Sequence, residues 1–152
     1  MRRIAFFPGS FDPITKGHED IVRRALPMFD KIIVAVGVNS SKNEMFPLDQ
    51  RQNWIEKTFS ECPSVEVINY KGLTTEACIK HQAKFILRGL RNSNDYEYEK
   101  SIAMMNQAME PNIETIYLNT HPEWAAISST IVRDIIKNKG NAQPFLASGV
   151  QL

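Results

Sequence analysis

The stretch that decides the fold is "FFPGSFDPITKGHEDIV", Phe6 to Val22. Together with Ile4 and Ala5 it begins as an apolar run of strand length, bounded by Pro8 and Gly9. Phe11-Asp12-Pro13 then reads as a turn, in which Asp12 bonds nearby backbone amides. Beyond Thr15-Lys16-Gly17-His18, the residues Ile21, Val22, Ala25, Leu26 and Phe29 fall on one helical face. A buried strand that passes through small polar residues into a helix is the opening half of a βαβ unit.

The same alternation continues along the chain. Ile32 to Val38, Val65 to Ile68, Phe85 to Leu87 and Thr115 to Leu118 read as further strands. The first two strands are nearly unbroken Ile, Val and Phe, as expected where a parallel sheet is covered on both faces. Helical patterns lie between them: Trp54, Ile55, Thr58 and Phe59; Leu73, Ala77 and His81; Tyr98, Ile102, Met105 and Met109, stopped by Pro111. A last stripe, Ile131, Val132, Ile135 and Ile136, is closed by Gly140, and the tail after Asn141 carries little pattern. This predicts an α/β fold: one doubly wound domain over residues 1–152, around a five-stranded parallel sheet.

Composition narrows the function classes. A chain of 152 residues with 43% apolar content can bury a core without disulfides. No apolar run approaches the ~20 residues of a membrane span, and Ile4 to Phe7 is too short for a signal sequence behind Arg2-Arg3. Cys62 and Cys78 have no metal-binding spacing, so a cytoplasmic protein with reduced thiols is expected. A net charge of +1 offers no broad surface for nucleic acid.

In a doubly wound sheet, ligands bind beyond the carboxyl ends of the strands. Residues with chemical potential do follow the strands here: Ser10, Asp12, Lys16 and His18; Asn39 to Lys42; Arg88, Gly89, Arg91 and Asn92; Asn119 to His121, then Trp124 and Ile127 to Arg133. Their shared rim is the signal, since each alone has an ordinary explanation. Gly9 suits a tight turn, His18 a surface helix and Lys42 a solvated loop. Arg88 and Arg91 suit pairing with Glu97 or Glu99, Ser128 to Thr130 suit helix capping, and Met104, Met105 and Met109 suit core filling. Walker-type, dinucleotide, hydrolase-elbow and zinc-protease motifs are absent.

Gly9-Ser10-Phe11-Asp12-Pro13, Thr15-x-Gly17-His18 and Ile127-Ser128-Ser129-Thr130-x-x-Arg133 resemble the paired signatures of the nucleotidyltransferase superfamily. With Arg88-Gly89-Leu90-Arg91, the chain is similar along its whole length to the bacterial phosphopantetheine adenylyltransferase family. The resemblance implies transfer of AMP from ATP to 4'-phosphopantetheine, giving dephospho-coenzyme A and pyrophosphate. It also implies Mg²⁺ and a homohexamer built as a dimer of trimers, with dephospho-coenzyme A and coenzyme A as product-like ligands.

Carried onto matching positions, the resemblance implies catalytic roles for His18, Lys42 and Arg91. Its ATP contacts fall at Ser10, Phe11, His18, Gly89, Leu90, Arg91, Glu99 and the segment Trp124, Ala125, Ala126, Ile127, Ser128, Ser129 and Thr130. Its phosphopantetheine contacts fall at Ser10, Lys42, Thr74 and Arg88, with Met105 and Asn106 along the pantetheine arm. Ser10 stands where the family more often has Thr, and Thr74 where a larger apolar residue is common. The metal is expected on ligand oxygens, with few protein ligands of its own. Within the superfamily, an adenylyl- or cytidylyltransferase for another acceptor is the alternative; outside it, a non-catalytic nucleotide sensor.

Overall fold

The computed structural model describes residues 1–152. Its five strands are β1 (Ile4–Gly9), β2 (Lys31–Gly37), β3 (Val65–Tyr70), β4 (Phe85–Leu90) and β5 (Glu114–Asn119). They form one parallel sheet in the order β3-β2-β1-β4-β5. The helices are α1 (Lys16–Ala25), α2 (Leu48–Thr58), α3 (Thr74–Lys80), α4 (Ser93–Met109) and α5 (Ser129–Lys137). The chain winds outward from β1 to β3, then returns to start β4 on the other side of β1. The topological switch therefore lies between β1 and β4.

Alternation along the central strands sends side chains to two cores. Ala5, Phe7, Ile32, Val34, Val36 and Leu87 join Ile21, Val22, Trp54, Ile55 and Val132 under α1, α2 and α5. Ile4, Phe6, Ile33, Ala35 and Ile86 face the other way, toward Ala77 and Cys78 of α3. β1 keeps its pairing with β2 as far as Gly9↔Val36, and β4 keeps its pairing with β5 as far as Leu90↔Asn119. Between β1 and β4, however, the register covers only Ala5↔Phe85 and Phe6↔Ile86. Beyond those pairs the two strands separate, and the sheet opens at its carboxyl edge.

Three helical expectations need correction. The buried face of α3 is Thr75, Ala77 and Cys78; Leu73 and His81 occupy its N-cap and C-cap, and Leu73 is exposed. In α5, Ile131 is exposed and Val132 is the buried anchor. The left-handed residue that ends this helix is Lys139, not Gly140. Its amide donates to the Ile136 carbonyl and that of Gly140 to the Ile135 carbonyl, a Schellman closure. The rhythm of α4 is real, but it faces outward: Tyr98 is 71% and Met105 64% exposed, with Ile102, Met104 and Met109 beside them. Periodicity assigns residues to a common face and says nothing of what covers that face. The methionines fill no core here.

The unpatterned tail is also part of the core. Ala142, Leu146, Ala147 and Val150 are buried against the α1–α2 side of the sheet. Ser148 donates from its amide and hydroxyl to the Glu19 carboxylate on α1. Gly149 lies so close to α2 that an added Cβ would sit 2.4 Å from the Thr58 amide nitrogen and 2.6 Å from the Trp54 carbonyl oxygen. Backbone atoms cannot yield as a flexible side chain does. Gly149→Ala is therefore expected to lower unfolding stability by about 1–3 kcal/mol. Urea denaturation reads this directly, and an unchanged midpoint would show that the tail is not docked on α2.

Candidate functional site

The opening between β1 and β4 leads into two cavities. One, of about 540 Å³, is lined by Gly37, Asn39, Tyr70, Thr74, Ile86, Ile102 and Asn106, among others. The second, of about 340 Å³, is lined by His18, Gly89, Arg91, Ser128, Ser129 and Thr130. Pro8, Gly9, Ser10, Lys42, Arg88 and Glu99 border both, so the compartments share a wall.

Arg88 is the centre of that wall. Its Nη1 donates to the Pro8 carbonyl at 2.6 Å, across the gap where strand pairing has stopped. Its Nε and Nη2 donate to the two oxygens of Glu99 on α4 at 3.0 and 2.6 Å. A forked pair of this kind fixes the guanidinium plane and leaves its remaining N–H groups for a ligand. Opposite it, Lys42 Nζ donates to Ser10 Oγ at 2.8 Å.

The second cavity holds four cationic side chains, Lys42, Arg88, Arg91 and Arg133, against two carboxylates, Asp95 and Glu99. Arg91 is held by Asp95 in the first turn of α4, through its backbone amide at 2.9 Å and its Nε at 3.1 Å. Two helices begin beside the cavity, α1 capped by Thr15 and α5 capped by Ser128. Their free amides and dipoles add to a field that favours an anion. A Cβ on Gly17 would meet nothing closer than 3.6 Å, so the protein itself leaves room at the start of α1.

His18 is the half-buried third residue of α1, with its ring edge-on to Phe11 and Phe7. The Thr15 amide donates to His18 Nδ1 at 3.0 Å, completing a capping box. Because an amide N–H can only donate, Nδ1 accepts and the ring proton resides on Nε2. Desolvation, followed by the positive charges of Arg88 and Arg91, holds the imidazole pKa down at about 4. At neutral pH His18 is thus an uncharged donor through Nε2.

Most residues singled out from the sequence meet at this cleft. Ser10, Phe11, His18, Gly89, Arg91, Glu99, Ile127, Ser128, Ser129 and Thr130 border the second cavity; Ser10, Lys42, Thr74, Arg88 and Asn106 border the first. Leu90, Trp124, Ala125 and Ala126 border neither, although Lys16 Nζ lies 5.3 Å from the Trp124 ring centroid. Met105 points out of the cleft, and Ile102, Ala103 and Asn106 join Glu99 as the α4 residues that line the larger cavity. The Phe11 ring is buried in the core while its backbone takes a φ of 48°.

Asp12 does not bond its own turn. It is 1% exposed and accepts from the amides of Met45 and Phe46, at 2.7 and 2.9 Å, in the loop that follows β2. The sequence reading missed Arg51 and the Tyr70–Thr74 hydroxyl contact at 2.9 Å. Arg51 did leave a signal, because it falls on the buried face of α2 with Trp54, Ile55 and Thr58. No group of three or more His, Cys, Asp or Glu lies together to hold a metal, and the cleft carboxylates of Asp95 and Glu99 are engaged by Arg91 and Arg88. These residues do not fit a protein-made metal centre.

Comparison with known proteins gives a consistent set of relatives. Residues 6–135 match the family model described as Cytidylyltransferase-like. The chain is 51% identical over 150 residues to the phosphopantetheine adenylyltransferase of Flavobacterium psychrophilum, covering 99% of both chains. It is 49% identical over 150 residues to that of Flavobacterium johnsoniae, covering 99% of this chain and 98% of the relative. Among solved structures it resembles a bifunctional NMN adenylyltransferase/ADP ribose pyrophosphatase from Francisella tularensis, with a TM-score of 0.74 and 20% identity. That match covers 99% of this chain but only 46% of the bifunctional protein, and at this identity it speaks for the fold alone.

The His18 assignment is open to direct titration. Following the ring resonances of His18 by NMR in the ligand-free protein should give a midpoint near about 4. The unfolded chain would bind this proton at about 6.5. Stability contributed by keeping the ring neutral is therefore lost as pH falls from about 6.5 towards 4. A midpoint at the unfolded value would contradict the desolvated, Nδ1-accepting ring.

Proposed function

The chain belongs to the phosphopantetheine adenylyltransferase family, and from that premise we propose how its divided cleft carries out the transfer. The chain is a nucleotidyltransferase of coenzyme A biosynthesis that moves AMP from ATP to 4'-phosphopantetheine. The observation that carries the mechanism is the shared wall of Ser10, Lys42, Arg88 and Glu99. Two substrates held on either side of one wall bring their phosphates together at that wall.

In this reading the triphosphate occupies the smaller cavity, between the starts of α1 and α5, with Arg91 and Ser128 to Thr130 around it. The pantetheine arm lies in the larger cavity past Thr74 and Asn106. Its terminal phosphate meets Lys42, Ser10 and the free N–H groups of Arg88. Glu99 serves this arrangement by orienting Arg88.

A phosphate monoester, with a second pKa near ~6, is mostly a dianion at neutral pH and already has its nucleophilic oxygen. One of its oxygens attacks the α-phosphorus of ATP. The bond from that phosphorus to the bridging oxygen breaks, and pyrophosphate leaves with the electron pair. No general base is required. What the protein supplies is proximity of two polyanions and stabilisation of charge at the α-phosphate. His18 donates from Nε2 to an α-phosphate oxygen as that charge develops. The role asks only for an N–H donor at Nε2, which the Thr15 amide secures by occupying Nδ1.

Mg²⁺ would arrive with the triphosphate and offset part of its charge. The cleft itself offers it no protein ligand set. No helix is long and apolar enough to cross a membrane, in keeping with a cytoplasmic enzyme. The exposed Tyr98, Ile102, Met104, Met105 and Met109 of α4 accord with a homo-oligomer, for which a hexamer of two trimers is the family-based proposal. Dephospho-coenzyme A and coenzyme A fit the same divided site as product-like ligands.

Incubation with ATP and acceptor, followed by pyrophosphate release, tests the reading. 4'-Phosphopantetheine should be turned over and unphosphorylated pantetheine should not; equal turnover of both would remove Lys42 and Arg88 from acceptor recognition. Steady-state kinetics of two variants test the division of labour. His18→Ala should lower kcat by about 10²–10³ with little change in the KM for ATP. Arg91→Ala should raise that KM, because Arg91 also holds ATP in the ground state. A folded His18→Ala enzyme with normal kcat would exclude His18 from the transition state.

A further inference from the structure

Arg51 is a charge in the wrong place for an ordinary helix residue. It is 4% exposed on α2, and no carboxylate lies within ion-pair distance of it. A buried cation that makes no direct ion pair is costly unless its hydrogen bonds are made. Both bonds that Arg51 makes are to main-chain oxygens: Nε donates to the Phe46 carbonyl at 2.9 Å, and Nη1 to the Ser10 carbonyl at 2.7 Å.

These two carbonyls belong to different walls of the site. Ser10 lies on the turn after β1, and Phe46 ends the loop after β2, the loop that carries Lys42. The Asp12 carboxylate spans the same gap in the other direction, taking the Met45 and Phe46 amides. Glu44, on the same loop, has its pKa raised chiefly by burial and lowered in part by the charges of Lys42 and Arg51, so it lies near the guanidinium without bonding it. Turn and loop are thus stitched by one cation and one anion, each bonded to backbone. Across the stitched gap, at the wall shared by both cavities, Lys42 Nζ lies 2.8 Å from Ser10 Oγ.

We propose that Arg51 is a positioning residue for the acceptor-phosphate site: by holding the Ser10 and Phe46 carbonyls on one guanidinium, it sets the separation of Ser10 from Lys42. The proposal rests on the reading that Ser10 and Lys42 receive that phosphate. Only a planar fork spans both carbonyls at once, and a lysine ammonium at the end of its stem serves one of them. Arg51 touches no substrate and acts entirely through the turn and the loop.

A mutant cycle separates this role from plain stability. Rates of pyrophosphate release would be measured for the unaltered enzyme, Arg51→Lys, Lys42→Ala and the double variant, with circular dichroism and thermal unfolding as folding controls. Arg51→Lys should lower kcat/KM for 4'-phosphopantetheine by about 10–100-fold while the KM for ATP stays within about twofold. The double variant should be no worse than Lys42→Ala, within about twofold, because the residue that Arg51 positions is already gone. Asp12→Asn, which removes one of the two carboxylate acceptors, should show the same non-additivity, and it replaces Arg51→Lys in the cycle if that variant does not fold. Losses that multiply in the double variant would overturn the proposal and leave the reading of Lys42 standing. Normal turnover by Lys42→Ala would overturn both.

Discussion

Everything functional in this protein depends on the separation of β1 from β4. The sheet remains paired to its carboxyl edge on either side, yet its central pair ends at Phe6↔Ile86. Backbone groups freed in this way need other partners. Pro8 has no amide to satisfy, and its carbonyl is taken by Arg88. The same guanidinium reaches to Glu99, so one side chain joins β4, β1 and α4. A gap that would weaken an ordinary sheet becomes a cleft with a rigid cationic divider.

The electrostatic arrangement follows from this placement. Each carboxylate in the cleft is used to orient an arginine, Asp95 for Arg91 and Glu99 for Arg88, and the balance remains positive. Among these fixed cations His18 stays neutral, because desolvation and the two arginines oppose its protonation. This neutrality belongs to the ligand-free cleft, where no anion offsets the two arginines. A ring directed by the Thr15 amide keeps its best hydrogen bond for charge that appears only in the reaction. Binding and catalysis are thereby assigned to different side chains.

Much of this was legible in the sequence, for definite physical reasons. The central strands β1 and β2 are continuous apolar runs and the outer ones shorter apolar segments between helical patterns, so all five could be located, with errors of a few residues at their ends. A doubly wound sheet directs its loops to one rim, so His18, Lys42, Arg88 and Arg91 could be grouped without coordinates. What escaped were contacts with no period. The tail is held by Leu146, Ala147 and Val150 in neither strand nor helix, and by the absence of a side chain at Gly149. Asp12 and Arg51 act on backbone more than thirty residues away, |i−j| = 33 and 41. Met105 was placed in the cleft by analogy, whereas its neighbours Ala103 and Asn106 turn inward. The outward face of α4 was not legible, because a helical stripe looks the same whether it meets its own core or not.

The central claim is that the divided cleft effects one direct displacement, with both phosphates present together and no adenylylated protein between them. The stereochemical course at the α-phosphorus tests it most directly. ATP made chiral there by one sulfur in place of a non-bridging oxygen would be reacted with 4'-phosphopantetheine, and the configuration of the dephospho-coenzyme A product determined. A single in-line attack across the wall of Ser10, Lys42 and Arg88 predicts inversion. Retention would mean two successive displacements through a covalent enzyme intermediate, and would contradict the account.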